Sequence, residues 1–402
     1  MKKFTVISLL LLVSMLAVAC GPKVAPFECT DEWGCVTIAP GDPVRVGAAL
    51  VTSGPNESLG VDCVHGIEIA ADDKEQVLGH DIELVIEDSL CSAEGGQTAV
   101  TKLVSDPSLL GIIGTNCSSA GVPAAKIAAD ANVVLISPSN TAPSLTAPDT
   151  HEKTYLRSCH NDKIQGAAMA HFVYDELGLR TAATIHDGSP YADQLQQVFA
   201  DTFVELGGTI TSQEAVNVGD TDMRPILTTI AADSPEFLYY PIFIAEGGFI
   251  TVQAKEIDGL KDTVLAAADG CMSPDFVEAA GEAAEGMYTS GPDLAFDNAL
   301  AVHFNEAYAE KYGGDPLSVF HCHAYDGISM LFAAIEKVAT QDEDGTLHVG
   351  RKALNDAMFA TSNFEGITGS LTCDQYGDCA DPKISVSQIQ NGEYVPIWHF
   401  NQ

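Results

Sequence analysis

Residues 109–140 read LLGIIGTNCSSAGVPAAKIAADANVVLISPSN. Leu109–Gly114 is a short, unbroken apolar run closed by glycine, and Val133–Ser137 is a second. Strands buried on both faces of a parallel sheet have this continuous pattern. Between them a helical pattern near Val122–Ala131 supplies the crossover that parallel strands require. Each strand runs out into a hydroxyl-rich loop: Thr115-Asn116-Cys117-Ser118-Ser119 after the first, Ser137-Pro138-Ser139-Asn140-Thr141 after the second. In open α/β sheets ligands bind beyond the carboxyl ends of the strands. The stretch therefore points both to a fold class and to the place of a site.

The same rhythm extends outward in both directions. Upstream lie a strand at Val44–Leu50, the loop Ser53-Gly54-Pro55, a helical stretch to about Val77, a strand at Ile82–Glu87 and a helix near Gly95–Ser105. It restarts after Tyr155–Cys159, with helices expected over 161–178, 191–206, 222–232 and 245–258. The strands between them are Thr181–His186, Thr209–Ala215, Glu236–Ile242 and Thr263–Ala268. Helical segments at 296–312, 322–339 and 350–359 follow, then a β-rich tail, Ile384–Gln390 and Tyr394–Phe400. Strands alternating with helices define an α/β protein of two doubly wound lobes.

Compartment is read from the N-terminus. Lys2 and Lys3 precede an apolar run from Phe4 to Val18 and then Ala19-Cys20-Gly21. This is the layout of a secretory signal peptide (1–19), too short to span a bilayer. Cys20 directly after Leu16-Ala17-Val18-Ala19 resembles the acylated cysteine of bacterial lipoproteins. The expectation is a protein outside the cytoplasm, lipid-anchored to a bacterial membrane, with 20–42 as a Pro/Gly-rich tether. The net charge of −37, with only 19 Lys and Arg, leaves no basic face and excludes nucleic-acid binding. Of eleven cysteines, ten remain if Cys20 is acylated, an even number in a disulfide-permissive compartment. Cys29 and Cys35, and Cys373 and Cys379, are close enough in sequence to staple loops.

Enzyme motifs are missing: there is no G-x-S-x-G, no phosphate-binding G-x-x-x-x-G-K and no H-E-x-x-H. No catalytic residue and no cofactor is therefore expected. What the strand ends carry instead is Ser118, Ser139 and Thr141 in the first lobe, and Asp187, Tyr191 and Asp269 in the second. Hydroxyls and free amides at a helix N-terminus favour a carboxylate. An acid and an aromatic wall from the other lobe suit an ammonium. Each residue alone is an ordinary cap or turn residue; their joint position suggests a zwitterionic amino acid.

At this point the chain resembles the branched-chain amino-acid (Leu/Ile/Val) binding-protein family of ABC importers, from about Val44 to the C-terminus. The resemblance is carried by Ser53-Gly54-Pro55, Cys117-Ser118-Ser119, Ile136 to Thr141, Leu156-Arg157 with Asp162 and Gln165-Gly166, Asp187 with Tyr191, and Ala280-Gly281-Glu282 with Ala284-Glu285-Gly286. It implies a type I periplasmic-binding-protein fold, two lobes joined by a three-stranded hinge. Lobe 1 would be 43–159 plus 292–370, and lobe 2 would be 160–291 plus 371–402. It further implies a ligand held by Ser118, Ser139 and Thr141, covered by Tyr191 and Phe243, paired at its ammonium by Asp269 and bordered by Leu59. It implies a Cys91–Cys117 disulfide, a membrane permease as partner and a monomer. The best-known members carry Glu where Asp269 stands, and Leu59 and Phe243 fill places commonly tyrosine or another aromatic. Relatives of this fold that bind short amides, urea-like solutes or small carboxylates are the alternative.

A further cluster, Cys159-His160, Cys271 and His321-Cys322-His323, falls near the hinge or cleft on this alignment. Thiolates and imidazoles can hold zinc or copper, but the spacing fits no zinc pattern. No metal is expected; the simpler expectation is disulfides plus exposed histidines, with Cys63 needing a partner from this group.

Overall fold

The computed structural model describes residues 27–400, so the signal peptide and Cys20 lie outside the described residues. Seven strands come first: β1 (Cys35–Ile38), β2 (Val44–Leu50), β3 (Gln76–Val77), β4 (His80–Asp88), β5 (Leu109–Gly114), β6 (Val134–Ser137) and β7 (Tyr155–Arg157). Six of them form one sheet in the order β3-β4-β2-β5-β6-β7. All its pairings are parallel except the β3–β4 hairpin. β5 is buried at every position, which is why its sequence is apolar without alternation.

The next five strands are β8 (Thr181–His186), β9 (Thr209–Ala215), β10 (Phe237–Tyr239), β11 (Val264–Ala268) and β12 (Tyr288–Pro292). The remainder are β13 (Thr340–Gln341), β14 (Leu347–Gly350), β15 (Phe364–Glu365), β16 (Ser370–Leu371), β17 (Ile384–Gln390) and β18 (Glu393–Phe400). The second large sheet runs β18-β17-β12-β11-β10-β8-β9, parallel from β9 to β12 and antiparallel through the tail. Each sheet has its own core. The first gathers Val46, Leu110, Ile136 and the helices 299–312 and 321–338; the second gathers Phe199, Phe237, Leu265 and Phe276. The chain passes between the sheets at 158–161, 293–298 and 372–383.

Several elements differ from the sequence reading. Cys35–Ile38 is a strand paired antiparallel with β14, and Val36 and Ile38 are buried. The folded body therefore begins inside the segment read as tether. β12 and the helix Pro274–Ala280 were missed, since Tyr288-Thr-Ser-Gly-Pro292 lacks an apolar run. The helix expected near Val122 begins at Ser118, with Pro123 inside it. Pro123 suggests a helix start, yet here it removes one hydrogen bond from the second turn and is tolerated. The helix expected over 161–178 ends its α-geometry at His171 and closes with a π-turn at Phe172–Glu176.

The structure pairs Cys29 with Cys35, Cys91 with Cys117 and Cys373 with Cys379. Cys63, Cys159, Cys271 and Cys322 are free and buried. His160, His321 and His323 are buried as well. The expectation of further disulfides and exposed histidines is thus wrong. Cys159 and His160 lie in the first crossing, Cys63 on the helix Glu57–Lys74, Cys271 just after β11, and His321, Cys322 and His323 on the helix His321–Val338; buried there, the thiols pack as small apolar groups. Among the described residues no group of three His, Cys, Asp or Glu side chains is placed to hold a metal ion, and no helix is long and apolar enough to cross a membrane.

Arg157, fully buried at the first crossing, ties the crossings together. Its Nη1 donates to the carbonyls of Asn140 (2.9 Å) and Ala142 (3.0 Å), its Nη2 to the Thr146 hydroxyl (2.6 Å) and its Nε to Asp378 in the third crossing. The Arg157 N–H donates to the Gly377 carbonyl, and the Cys379 N–H donates to the Arg157 carbonyl. Burial opposes the charge on Asp378, but the guanidinium outweighs it and holds the carboxyl below its usual range. Asp378→Ala should lower unfolding free energy by on the order of 3 kcal/mol, because a guanidinium stays buried without its counter-charge; urea denaturation would measure it.

Candidate functional site

The carboxyl ends of β5 and β6 face the carboxyl ends of β8 and β11 across a partly open cavity with about 330 Å³ of space between atoms, open solvent included. Ser118, Ser139 and Leu59 reach it from the first lobe, Tyr191, Phe243 and Asp269 from the second. Six of the seven residues expected from sequence therefore line one cavity. Thr141, the seventh, is fully buried and does not reach the wall, and its hydroxyl has no hydrogen-bond partner among the described residues. Asp187 is also off the wall, and its carboxylate accepts from the Ser189 N–H instead.

The floor is built at a helix start. Ser118 opens the helix Ser118–Asp130, whose N-cap, Cys117, supplies no side-chain capping bond. The N–H groups of that first turn, with the macrodipole, favour an anion. The Ser118 hydroxyl accepts from the Ala142 N–H at 3.3 Å, which leaves its own proton free to donate. Cys117 is bridged to Cys91, so this start is pinned to the loop after β4. Asn116 spans the floor. Its Oδ1 accepts from the Val51 N–H (2.9 Å), and its Nδ2 reaches the Leu59 carbonyl (3.3 Å), Cys63 Sγ (3.2 Å) and Ser139 Oγ (3.3 Å). Asn116 is thus committed to holding the loops after β2, β5 and β6 together.

The roof belongs to the second lobe. Asp269 is buried directly after β11. Its Oδ1 accepts from Gln165 Nε2 (2.6 Å) and from the Tyr191 hydroxyl (3.0 Å), which in turn accepts from the Gly270 N–H (3.1 Å). Burial raises the Asp269 carboxyl to about 6, although Gln165 and Tyr191 favour its ionised form. Tyr191 and Phe243 pack with ring centroids 5.2 Å apart. Nearby, Asp162 is fully buried and neither of its oxygens has a partner. Burial, and then the negative charge of Asp269, push it well above the usual carboxylate range, against smaller lowering by the Thr141 hydroxyl and the Arg157 charge. Buried carboxylates without partners are costly, and such groups mark functional sites.

The sequence reading also missed wall residues. Asn116, Cys117, Gly270 and Phe320 line the cavity. Phe320 sits at the start of the helix His321–Val338, 204 positions after Asn116, and no local pattern relates the two. It is fixed by Asp62, whose carboxylate accepts from the N–H groups of Phe320 (3.2 Å) and His321 (3.0 Å) and meets His321 Nδ1 at 3.1 Å.

Two lobes of parallel sheet, joined by crossings and closing on a cavity with a polar floor and an acid in the roof, define a solute-binding protein. Residues 43–393 match the family model described as periplasmic binding protein, and the chain belongs to that family. Its members and the structural neighbours are substrate-binding proteins, not enzymes, and the family works outside the cytoplasm. The chain is 26% identical over 338 residues to the leucine-, isoleucine-, valine-, threonine- and alanine-binding protein of Pseudomonas aeruginosa, covering 84% of this chain and 82% of that one. It is 27% identical over 339 residues to a Leu/Ile/Val-binding protein homolog of Brucella abortus, covering 83% and 87%. The crystal structure of a leucine binding protein from Thermotoga maritima superposes with a TM-score of 0.80 at 29% identity, covering 89% of this chain and 99% of that one.

The helix that carries Leu59 approaches β2 closely. An alanine Cβ at Gly60 would stand 1.7 Å from the Val51 carbonyl oxygen. Gly60→Ala should cost roughly 3 kcal/mol, since backbone and not a flexible side chain must yield. Equilibrium unfolding would show the loss.

Proposed function

We propose that this chain captures an α-amino acid, branched-chain or similar, and delivers it to the permease of an ABC importer while held at the membrane through an acylated Cys20. The observation that carries the reading is one cavity with an anion-favouring helix start on one lobe and the buried carboxyl of Asp269 on the other. In this reading the ligand carboxylate accepts from Ser118 and the free N–H groups of its helix, with Ser139 beside it. The ammonium sits between the lobes against Asp269 Oδ2, which has no hydrogen-bond partner from another residue among the described residues. Leu59, Phe243, Tyr191 and Phe320 enclose the side chain. Asn116 has spent its donors and acceptor on the protein, so these walls favour an apolar side chain. The relatives named for leucine, isoleucine and valine support the same ligand class.

Mechanistically, the ligand docks on the floor first and the second lobe then closes. A ligand shifts that equilibrium only by its differential affinity for the closed form, and the ammonium–Asp269 contact is the group that exists only there. Lobe 1 would span 43–159 with 292–370, lobe 2 160–291 with 371–402, and the protein would act as a monomer.

Calorimetric titration with leucine, isoleucine, valine, threonine and alanine tests the reading; no heat with any of them would overturn it. Asp269→Ala should weaken binding by on the order of 3 kcal/mol, because the ammonium is buried unpaired.

Acidity gives an independent check. The ligand ammonium favours the ionised carboxylate, whereas the empty protein holds the Asp269 proton up to about pH 6. Affinity should be constant above that pH and should fall as pH drops through it, by up to about tenfold per unit. A carboxylic acid of the same shape without the amino group should show no such fall.

A further inference from the structure

His160 lies on the first crossing, between β7 and the helix Asp162–His171, and is not on the cavity wall. Its Nε2 meets Gln165 Oε1. The Gln165 amide can take only one orientation. Its Nε2 faces Asp269 Oδ1 (2.6 Å) and the Ser290 carbonyl (3.1 Å), and a carbonyl oxygen only accepts. Gln165 Oε1 must then point to His160, and His160 Nε2 must carry the proton that it donates. The other ring nitrogen, Nδ1, is buried with no partner, which agrees with a neutral imidazole protonated at Nε2. Burial holds this imidazole down to about 4, so it keeps that form across the neutral range. One face of the ring packs on Phe320, centroids 6.0 Å apart and planes 23° from parallel. A single side chain on the hinge therefore touches the aromatic wall of one lobe and, through Gln165, the acid of the other.

We propose that His160 is a positioning residue for ammonium recognition: its Nε2–H fixes Gln165, and Gln165 turns Asp269 so that Oδ2 is presented to the cavity. The inference rests on the reading that Asp269 meets an ammonium. It assigns a role to one of the histidines that no metal or disulfide explains. Without the donor, Gln165 Oε1 is left buried and unsatisfied, and the amide is driven to tilt or rotate toward another donor. Either movement turns Asp269. The anion floor at Ser118 shares none of these bonds.

The test measures two ligands on each variant by calorimetry: whichever of leucine, valine and alanine the wild type binds tightest, and the same molecule lacking its amino group. The readout is the ratio of their dissociation constants. His160→Gln can return an amide N–H to Gln165 and should keep the wild-type ratio. His160→Asn is equally polar but too short, and His160→Leu has no donor. Both should reduce the preference for the amino acid by roughly tenfold, the size of one hydrogen bond, with the deaminated ligand bound as before. Gln165→Leu should reduce it at least as far, and adding His160→Leu to it should change the ratio little. Should the Leu variants fail to fold, the Gln and Asn pair decides. An unchanged ratio in His160→Asn, or equal weakening of both ligands, would overturn the role of His160 while leaving the headgroup reading intact. A wild type that does not prefer the amino acid to its deaminated analogue overturns both.

Discussion

The structure turns on one buried guanidinium. Arg157 has no exposure to water, and every hydrogen bond it makes runs to a segment on which the cleft depends. Two go to the carbonyls of Asn140 and Ala142, which shape the loop carrying Ser139 and Thr141. Another goes to Thr146, and the ion pair goes to Asp378 in a different crossing. Asn161, the N-cap of the helix that carries Asp162 and Gln165, also donates to Asp378 (3.1 Å). An unpaired charge at this depth would be prohibitive, so the loop after β6, the first crossing and the stapled turn of the third must be in register together. Cys373–Cys379 closes that turn, and Gly377 in it lies too close to the Tyr155 carbonyl to admit a side chain.

The cavity is organised on the opposite principle. Where Arg157 is saturated with acceptors, Asp162 has no donors, and Asp269 receives donors on one oxygen alone. Burial raises both carboxyls, and the negative charge of Asp269 raises Asp162 further. The hydrogen bonds of Arg157 are thus all met across the hinge, while neither oxygen of Asp162 has a partner. On the proposed reading, an ammonium brought against Asp269 by lobe closure would couple closure to binding.

The fold was legible because short strand-like runs, several of them apolar and buried, are spaced by helices. β2, β5, β8, β9 and β17 have the limits that the sequence pattern marks. β12 was not legible: Tyr288-Thr-Ser-Gly-Pro292 is buried for four of its five residues, but its burial comes from neighbours on both edges and not from its own apolarity. The wall was legible where residues follow directly on strand ends, as Ser118, Ser139 and Asp269 do. Phe320 and Asn116 were not, since one is brought in by Asp62 from far along the chain and the other looks like any loop amide until its four partners are seen. The histidines were misjudged for a related reason. A sequence gives three imidazoles, but only packing shows that His160 is an amide's donor and His321 a carboxylate's partner.

Charge makes the same point at the scale of the whole molecule. Fifty-six acids against nineteen bases mark the surface as acidic, and a screened surface charge says little about a site. Among the described residues only Asp62, Asp162, Asp187, Glu246, Asp269 and Asp326 are buried acids. Asp62 takes the N–H groups at a helix start, Asp326 those of Ile367 and Thr368, Glu246 that of Gly219 and Asp187 that of Ser189. Four of the six are thus explained as anchors of loops. Of the two that remain, Asp162 is raised by the charge of Asp269, and Asp269 lines the cavity. In a protein this acidic, what singles out the candidate site is two buried carboxyls that take no backbone N–H from another residue, not the number of carboxyls.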